Sequence, residues 1–227
     1  MRKPFRWKNC YADVLSSGYG QIAQSYVREV VEPSLLPLEN QIVRMREQPD
    51  DPVAVFGIGL AEELLRATLM GYCLSIQALW ENQIRRYLQR CAYDLKKEAT
   101  LQQQIPRATW RELDAIFLEL RGVPLTAFDE YRNLNLLQLL GNVCRHGNGS
   151  SLHRLTVEYP ELWAQQLIPA PPPLIGSHAE LVRTAENLKI PLSLLKSLVA
   201  AIDSFWRETE YIYKESIERK VIHWRLC

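Results

Sequence analysis

A basic pair, Arg145 and His146, follows the apolar run "LQLLGNVC" and comes directly before the sequence Gly-Asn-Gly. Asn142 lies four residues before His146, so the two side chains share one face of any helix that carries them. Histidine titrates near neutral pH and moves protons, a guanidinium neutralises charge on phosphorus, and an amide orients a substrate group. These residue types are the ones that cleavage of RNA without a metal ion requires.

The turn after this pair could hold an anion as well. Gly147 is expected to supply the left-handed residue that ends the helix, and backbone N–H groups near Ser150 could then face a phosphate. His153, a few residues later, would extend the surface that contacts RNA. A simpler interpretation is also open, because cations in a last helical turn interact favourably with the helix dipole by about 0.3–1 kcal/mol. Arg145 and His146 would then cap the helix and do no chemistry.

The segment "LLGNVCRHGNGSSLHRLTVEYPELW" resembles the signature end of HEPN domains, which are all-α bundles of prokaryotic defence and toxin systems. The family motif is an arginine followed a few residues later by a histidine, often with Asn, Asp or His directly after the arginine. Many HEPN domains are metal-independent endoribonucleases that act as dimers. Asn142 and His146 match the motif, whereas Gly141 occupies the place of its arginine and Arg145 adjoins the histidine.

The departure at Gly141 leaves two functions open. In the first, His146 is the general acid and base, Arg145 binds phosphate, Asn142 orients the substrate, and RNA is cut through its 2′-OH by a homodimer. In the second, the chain is a non-catalytic scaffold or regulatory subunit that binds a protein partner of a defence or toxin–antitoxin system. Arg132 lies too far upstream to replace the missing arginine.

An earlier helical segment, "LWENQIRRYLQR", carries a second polar group with Glu81 and Arg85 at a spacing of four. The spacing alone fits an ion-paired, solvated helix face. The HEPN resemblance implies instead that this helix lies beside the His146 helix. Glu81 would then support His146, and Arg85 and Arg86 would add positive charge that binds RNA.

Helical periodicity dominates the elements that must position these residues. Apolar residues recur at three and four positions from Ile58 to about Tyr93, which predicts one long helix. Capping boxes at Thr109/Glu112 and Thr126/Asp129 predict two more helices, the second ending near Arg145. Ser177 with Glu180 predicts a short helix through about Leu188, and Pro191 begins a final helix.

The remaining segments complete the organisation. The N-terminal region contains two helical stretches that we expect to be interrupted by Pro33 and Pro37, and "LIPAPPPLIG" predicts an extended segment. Strand alternation is scarce. We therefore predict an all-α, HEPN-like bundle of five to seven helices, with an N-terminal helical segment over 1–50 and the bundle over 51–227, or one continuous domain over 1–227.

The composition of the chain limits the kind of RNA site, the state of the cysteines and the cellular compartment that we expect. The 227 residues carry 27 basic and 26 acidic side chains, so any RNA site must be a local cluster. The odd set of five cysteines lacks the spacing of a zinc site, which favours reduced thiols in the cytoplasm. We recognise no signal peptide, membrane span, metal-ligand set or cofactor motif, and we expect a cytoplasmic protein that needs no cofactor and does not bind a membrane.

Overall fold

The computed structural model describes residues 7–48, 51–166 and 183–218. Within these residues there is no strand, and seven helices have eight or more residues, which confirms the predicted all-α class and helix number. The helices are α1 (Tyr19–Tyr26), α2 (Glu32–Arg46), α3 (Pro52–Leu95), α4 (Trp110–Arg121), α5 (Tyr131–His146), α6 (Ser150–Glu158) and α7 (Leu192–Glu218). Two shorter helices span Tyr11–Leu15 and Ala99–Gln104.

The chain forms two compact units whose segments alternate along the sequence. The first unit takes its described residues from Met1–Val30, Ile76–Asn135 and Lys196–Cys227, and the second from Val31–Ser75 and Leu136–Leu195. Helices α3, α5 and α7 therefore each supply residues to both units. The division at residue 50 that the sequence suggested stays a prediction.

An aromatic cluster forms the core of the first unit. The Phe205 ring centroid lies 5.1 Å from that of Trp80 and 4.7 Å from that of Phe128, and all three side chains are buried. Burying large aromatic rings is the main favourable contribution that such a core makes to folding. The indole N–H of Trp206, a further buried ring, is hydrogen-bonded, because Nε1 donates to Gln83 Oε1 over 2.9 Å. This cluster fixes the middle of α7 against α3.

Helix α2 and the first half of α3 run antiparallel in the second unit. The hydroxyl groups of Ser34 and Tyr72 lie 2.5 Å apart near one end, and Arg46 Nη2 lies 2.5 Å from Glu62 Oε1 near the other. Helix α3 begins where sequence rules place a helix start. Asp51 Oδ1 accepts from the Val53 N–H over 2.9 Å and therefore caps the helix.

The N-terminal prolines do not interrupt the helix, so that prediction was wrong. Residues 19–46 are helical without a break, through a π-helical turn at Val27–Val31. Pro33 is the second residue of α2 and directly follows the π-helical turn, so the missing N–H falls where the hydrogen-bond repeat of the helix changes. Pro37 lies inside the helix, and the burial of Leu35 and Ile42 on the same helix offsets the hydrogen bond that it removes.

Two other predicted helices need correction. Thr126 lies in a 3₁₀ turn, Leu125–Ala127, and α5 begins only at Tyr131, because Phe128 is extended and packs its ring into the core. The helix predicted from Ser177 to Leu188 is not formed over its described part, where residues 185–187 make a bend and a turn. Its start and the proline-rich segment lie outside the described residues.

The other predicted elements are confirmed. Helix α3 contains the whole of the predicted long helix and extends it at both ends. Helix α4 begins after the Thr109 capping box, in which Thr109 Oγ1 accepts from the Glu112 N–H. Helix α7 begins directly after Pro191, and α5 ends at His146. Because α5 ends at His146, the candidate site lies at the C-terminal end of this helix.

Candidate functional site

The basic pair lies at the junction between α5 and α6. Gly147 has a φ of 67° and its N–H donates to Val143 O over 2.8 Å, which ends α5 directly after His146. Arg145 and His146 are both exposed in that last turn. A left-handed glycine thus reverses the chain immediately beyond the two residues and leaves them at the surface of the second unit.

Asn142 connects the two helices of this junction. Its Nδ2 donates to Ser151 Oγ over 3.4 Å, and both side chains are half-buried. Asn142 lies one helical turn before His146, as the spacing predicted, and Ser151 lies in the first turn of α6. The hydrogen bond therefore holds an amide at the base of the turn, between the end of α5 and the start of α6.

The start of α6 is electropositive because of its main-chain N–H groups and not because of basic side chains. Gly149 is its N-cap residue and has no side chain that could accept from the N–H groups of the first turn. Ser150 is exposed in this first turn. Asn148 fixes the position of the turn, because its Oδ1 accepts from the Ala185 N–H over 3.0 Å. The junction thus combines two exposed basic side chains with a helix N-terminus.

His153 lies farther along α6 and is exposed. Its neighbour Arg154 is committed to an ion pair, since its Nε and Nη2 lie 2.8 and 3.3 Å from the two carboxylate oxygens of Glu158. Of these two adjacent residues, His153 is therefore the better candidate for extending a surface that begins at the junction.

The polar group of the earlier helix has partners of its own. Arg85 Nη2 lies 3.4 Å from Glu81 Oε2, and Gln77 donates to the same carboxylate. Arg85 Nη1 also donates over 2.8 Å to the main-chain oxygens of Ile105 and of Ala108. Arg85 thus stabilises the connection between the Ala99–Gln104 helix and α4. Arg86 is exposed on α3.

The candidate residues belong to different units. Asn142, Arg145, His146, Ser150 and His153 all lie within Leu136–Leu195 of the second unit, along one helix–turn–helix segment. Glu81, Arg85 and Arg86 lie within Ile76–Asn135 of the first. The sequence spacing therefore identified two local clusters, and the contact that we expect between Glu81 and His146 stays a prediction.

Cys144, inside the motif segment, is engaged with another thiol. A hydrogen bond with Cys73 lowers the pKa of Cys144 against the effect of its burial. The same hydrogen bond, together with burial, raises the pKa of Cys73 well above its ordinary value. Cys144 thus pairs with a cysteine buried on α3.

A buried charged cluster in the first unit escaped the sequence reasoning. Asp13 and Arg121 form an ion pair whose side chains are both 0% exposed, with Arg121 Nη2 lying 2.7 Å from Asp13 Oδ1. Neither residue is among the predicted site residues. A pair separated by more than one hundred positions leaves no periodic signal, so only the packed structure reveals it.

A groove of about 610 Å³ lies in the first unit between the Ala99–Gln104 helix and α4, and none of the predicted site residues lines it. No group of three or more His, Cys, Asp or Glu side chains in the described part of the chain is placed to hold a metal ion. None of the described helices combines the length and apolar character needed to cross a membrane.

No family model, no curated protein and no solved structure matches the chain.

Proposed function

We propose that this chain is a metal-independent endoribonuclease of a prokaryotic defence or toxin system, acting as a homodimer and similar to HEPN domains. One observation carries the proposal: Arg145 and His146 are exposed at the α5–α6 junction, next to an α6 N-terminus that no side chain caps. A guanidinium and a helix N-terminus both favour a phosphate group. A histidine beside them supplies the proton transfer that RNA cleavage needs.

Arg145 is suited to replace the arginine that the motif lacks. Gly141 is buried, so a guanidinium at that position would have to leave water. Arg145 lies four residues later, on the same face of α5, and is exposed. Because side chains on a helix lean towards its N-terminus, we expect the Arg145 side chain to cover the turn that contains Gly141. The positive charge is thus kept on the face where the family motif has it.

The proposed reaction uses the 2′-OH of the RNA as its nucleophile. His146 takes the proton from that hydroxyl while the oxygen attacks phosphorus, and then gives it to the 5′-oxygen of the next nucleotide as that oxygen leaves. Arg145 stabilises the charge that develops on the phosphate oxygens. Asn142, which is hydrogen-bonded to Ser151, orients the bound RNA. The products are a cyclic 2′,3′-phosphate and a free 5′-hydroxyl. DNA lacks the nucleophile and stays intact.

The test compares wild type, His146→Ala and Arg28→Ala on a mixed RNA pool in EDTA. Wild type and Arg28→Ala are expected to produce fragments that end in a cyclic phosphate, whereas His146→Ala loses at least about 100-fold in rate, the typical contribution of a general acid–base group. Arg28 is the control, because it is an exposed basic residue that pairs with Glu29 and lies outside the predicted site. Equal cleavage by His146→Ala, or cleavage that requires a divalent cation, contradicts the proposal.

A second candidate function is supported by an apolar row at the start of α3. Val53, Phe56, Leu60 and Leu64 recur at three and four positions and are 78%, 71%, 60% and 53% exposed. A contiguous exposed apolar row of this kind is typical of a surface that binds another protein. The chain would then be a HEPN-like scaffold or regulatory subunit. Absence of RNA cleavage by all three proteins would favour this function.

A further inference from the structure

Two cysteines of the first unit approach each other at the buried Asp13–Arg121 pair. Cys10 Sγ and Cys91 Sγ lie 3.6 Å apart, although 81 positions separate them in the sequence. Arg121 Nη1 lies 3.3 Å from Cys10 Sγ and 3.8 Å from Cys91 Sγ. The guanidinium therefore contacts both sulfur atoms.

The surroundings hold this arrangement in place. Arg121 Nη2 donates to both Asp13 oxygens, over 2.7 and 2.9 Å, and Tyr87 OH donates to Asp13 Oδ1 over 2.9 Å. The Arg121 guanidinium also lies 3.6 Å from the centroid of the Trp7 ring. The backbone N–H of Cys10 donates to Asp13 Oδ2 over 3.1 Å. The network thus fixes the backbone at Cys10 and the guanidinium that faces both sulfurs.

The two thiols differ in reactivity and access. The hydrogen bond with Cys91 and the charge of Arg121 lower the pKa of Cys10, against the opposing effects of its burial and of Asp13. Burial raises the pKa of the Cys91 thiol well above its ordinary value. Cys10 is half-buried, whereas Cys91 is 0% exposed. Cys10 is thus the member of the pair that solvent reaches and that favours the thiolate.

We propose that Cys10 and Cys91 are an oxidation site for hydroperoxides, at which Cys10 is the attacking thiol and Cys91 the resolving thiol of an intramolecular disulfide. The sulfur atoms must close from 3.6 Å to the bonded distance of about 2.05 Å. Arg121 is a positioning residue for this step, since it contacts both sulfurs.

The reaction balances with hydrogen peroxide as the oxidant. The Cys10 thiolate attacks one peroxide oxygen, the O–O bond breaks, and hydroxide leaves and is protonated to water, so that Cys10 becomes a sulfenic acid. The sulfur of Cys91 then loses its proton and attacks the Cys10 sulfur, which expels the hydroxyl group as a second water. Two thiols and one peroxide give one disulfide and two waters.

The test treats the reduced full chain with hydrogen peroxide, then alkylates the remaining thiols and maps the peptides by mass spectrometry. The chain has five cysteines, and loss of one pair is expected to leave three free thiols in a monomer in which Cys10 is joined to Cys91. Cys91→Ala removes the resolving thiol, so Cys10 should accumulate as a sulfenic acid that a 1,3-diketone captures. Cys144→Ala is the matched control and should form the Cys10–Cys91 disulfide as wild type does.

Two outcomes overturn the proposal. One is a disulfide that joins Cys73 to Cys144 while Cys10 and Cys91 remain alkylatable. The other is persistence of all thiols at a peroxide concentration that oxidises a low-pKa thiol in a reference protein. If Cys91→Ala does not fold, the peptide map of wild type decides alone, because it identifies which sulfurs are joined.

Discussion

The charges of Asp13 and Arg121 are fully removed from solvent, and each is stabilised only by partners within the protein. Arg121 donates to the carboxylate of Asp13 and to Lys8 O, while Tyr87 and Trp7 donate to Asp13. A buried ion pair adds little net stability compared with apolar residues of the same size, but loss of one partner leaves an unpaired buried charge. The two residues are thus energetically coupled.

Replacement of Asp13 by alanine is therefore expected to destabilise the protein severely. Asp13→Ala leaves the Arg121 charge buried without its carboxylate, at a cost of about 3–5 kcal/mol in the free energy of unfolding. Urea denaturation followed by circular dichroism measures this change. The control is Glu210→Ala, which removes a partly exposed ion pair with Lys214 and is expected to cost about 0–1 kcal/mol. Equal midpoints for the two variants would contradict this account.

Glu208 gives the stability of the protein a pH dependence. Burial raises the pKa of its carboxyl group, and the charges of Glu130 and Asp129 raise it further. The folded state therefore disfavours the ionised form, so Glu208 lowers stability above its folded pKa. This penalty disappears as the pH falls through the folded pKa towards the ordinary value of 4.5.

Glu208→Gln is accordingly expected to raise the urea midpoint at pH 7, with the gain shrinking as the pH is lowered towards 4.5. Glutamine keeps the size of the side chain and removes the charge. Glu210→Gln, two residues farther along α7, loses the 2.7 Å pair with Lys214 and should not raise the midpoint at pH 7. A gain for Glu208→Gln that grows as the pH falls would refute the assignment.

Sequence reasoning succeeded at the residue scale where the geometry is local. The spacing of Asn142 and His146 indicates a shared helix face because an α-helix repeats every 3.6 residues. The side chain that Asn142 contacts, Ser151, lies on the next helix and could not be identified from that repeat. The thiol pair of Cys10 and Cys91 depends entirely on tertiary packing.

At the scale of elements, apolar periodicity and capping boxes predicted helices correctly where tertiary packing allowed a helical backbone. The apolar repeat of α3 and the capping box of α4 each have one structural outcome, and both are confirmed. The Thr126 box failed because burying the Phe128 ring requires extended backbone at that residue. The prolines of α2 failed as helix breakers because the first follows a π-helical turn, where the hydrogen-bond repeat changes, and packing offsets the loss at the second. Tertiary burial overrides local propensity in both cases.

The turn between α5 and α6 depends on a single left-handed residue. Gly147 has a φ of 67° and no heavy atom within 4 Å of the place of a Cβ, so only backbone strain opposes a side chain there. Gly147→Ala is expected to lower the free energy of unfolding by about 1 kcal/mol. Gly71→Ala is the control, because Gly71 lies inside α3 with equally open space, and an alanine there should not lower stability. Equal losses in urea denaturation would show that φ is not the cause.

For the whole molecule, the alternation of two units along the chain was not foreseen. Helices α3, α5 and α7 each divide between units, yet hydrophobic periodicity within a helix indicates only which face is buried. It does not indicate which segments, distant in sequence, supply the covering side chains. The predicted helices were therefore mostly correct, whereas the grouping of their segments required the structure.

The near-zero net charge determines how RNA affinity should respond to salt. With a net charge of +1, the molecule has no general attraction for a polyanion, so binding must arise from a local cluster such as the one at Arg145. Each phosphate contact to single-stranded RNA releases counterions and adds about 0.7 to the slope of log affinity against log salt.

Arg145→Gln should therefore weaken RNA binding at low salt and reduce this slope by roughly that amount. Arg28→Gln makes the same change in net charge at a residue paired with Glu29, and should leave the slope unchanged. Equal slopes for wild type and both variants, measured by the fluorescence anisotropy of a labelled RNA, would mean that Arg145 contacts no phosphate.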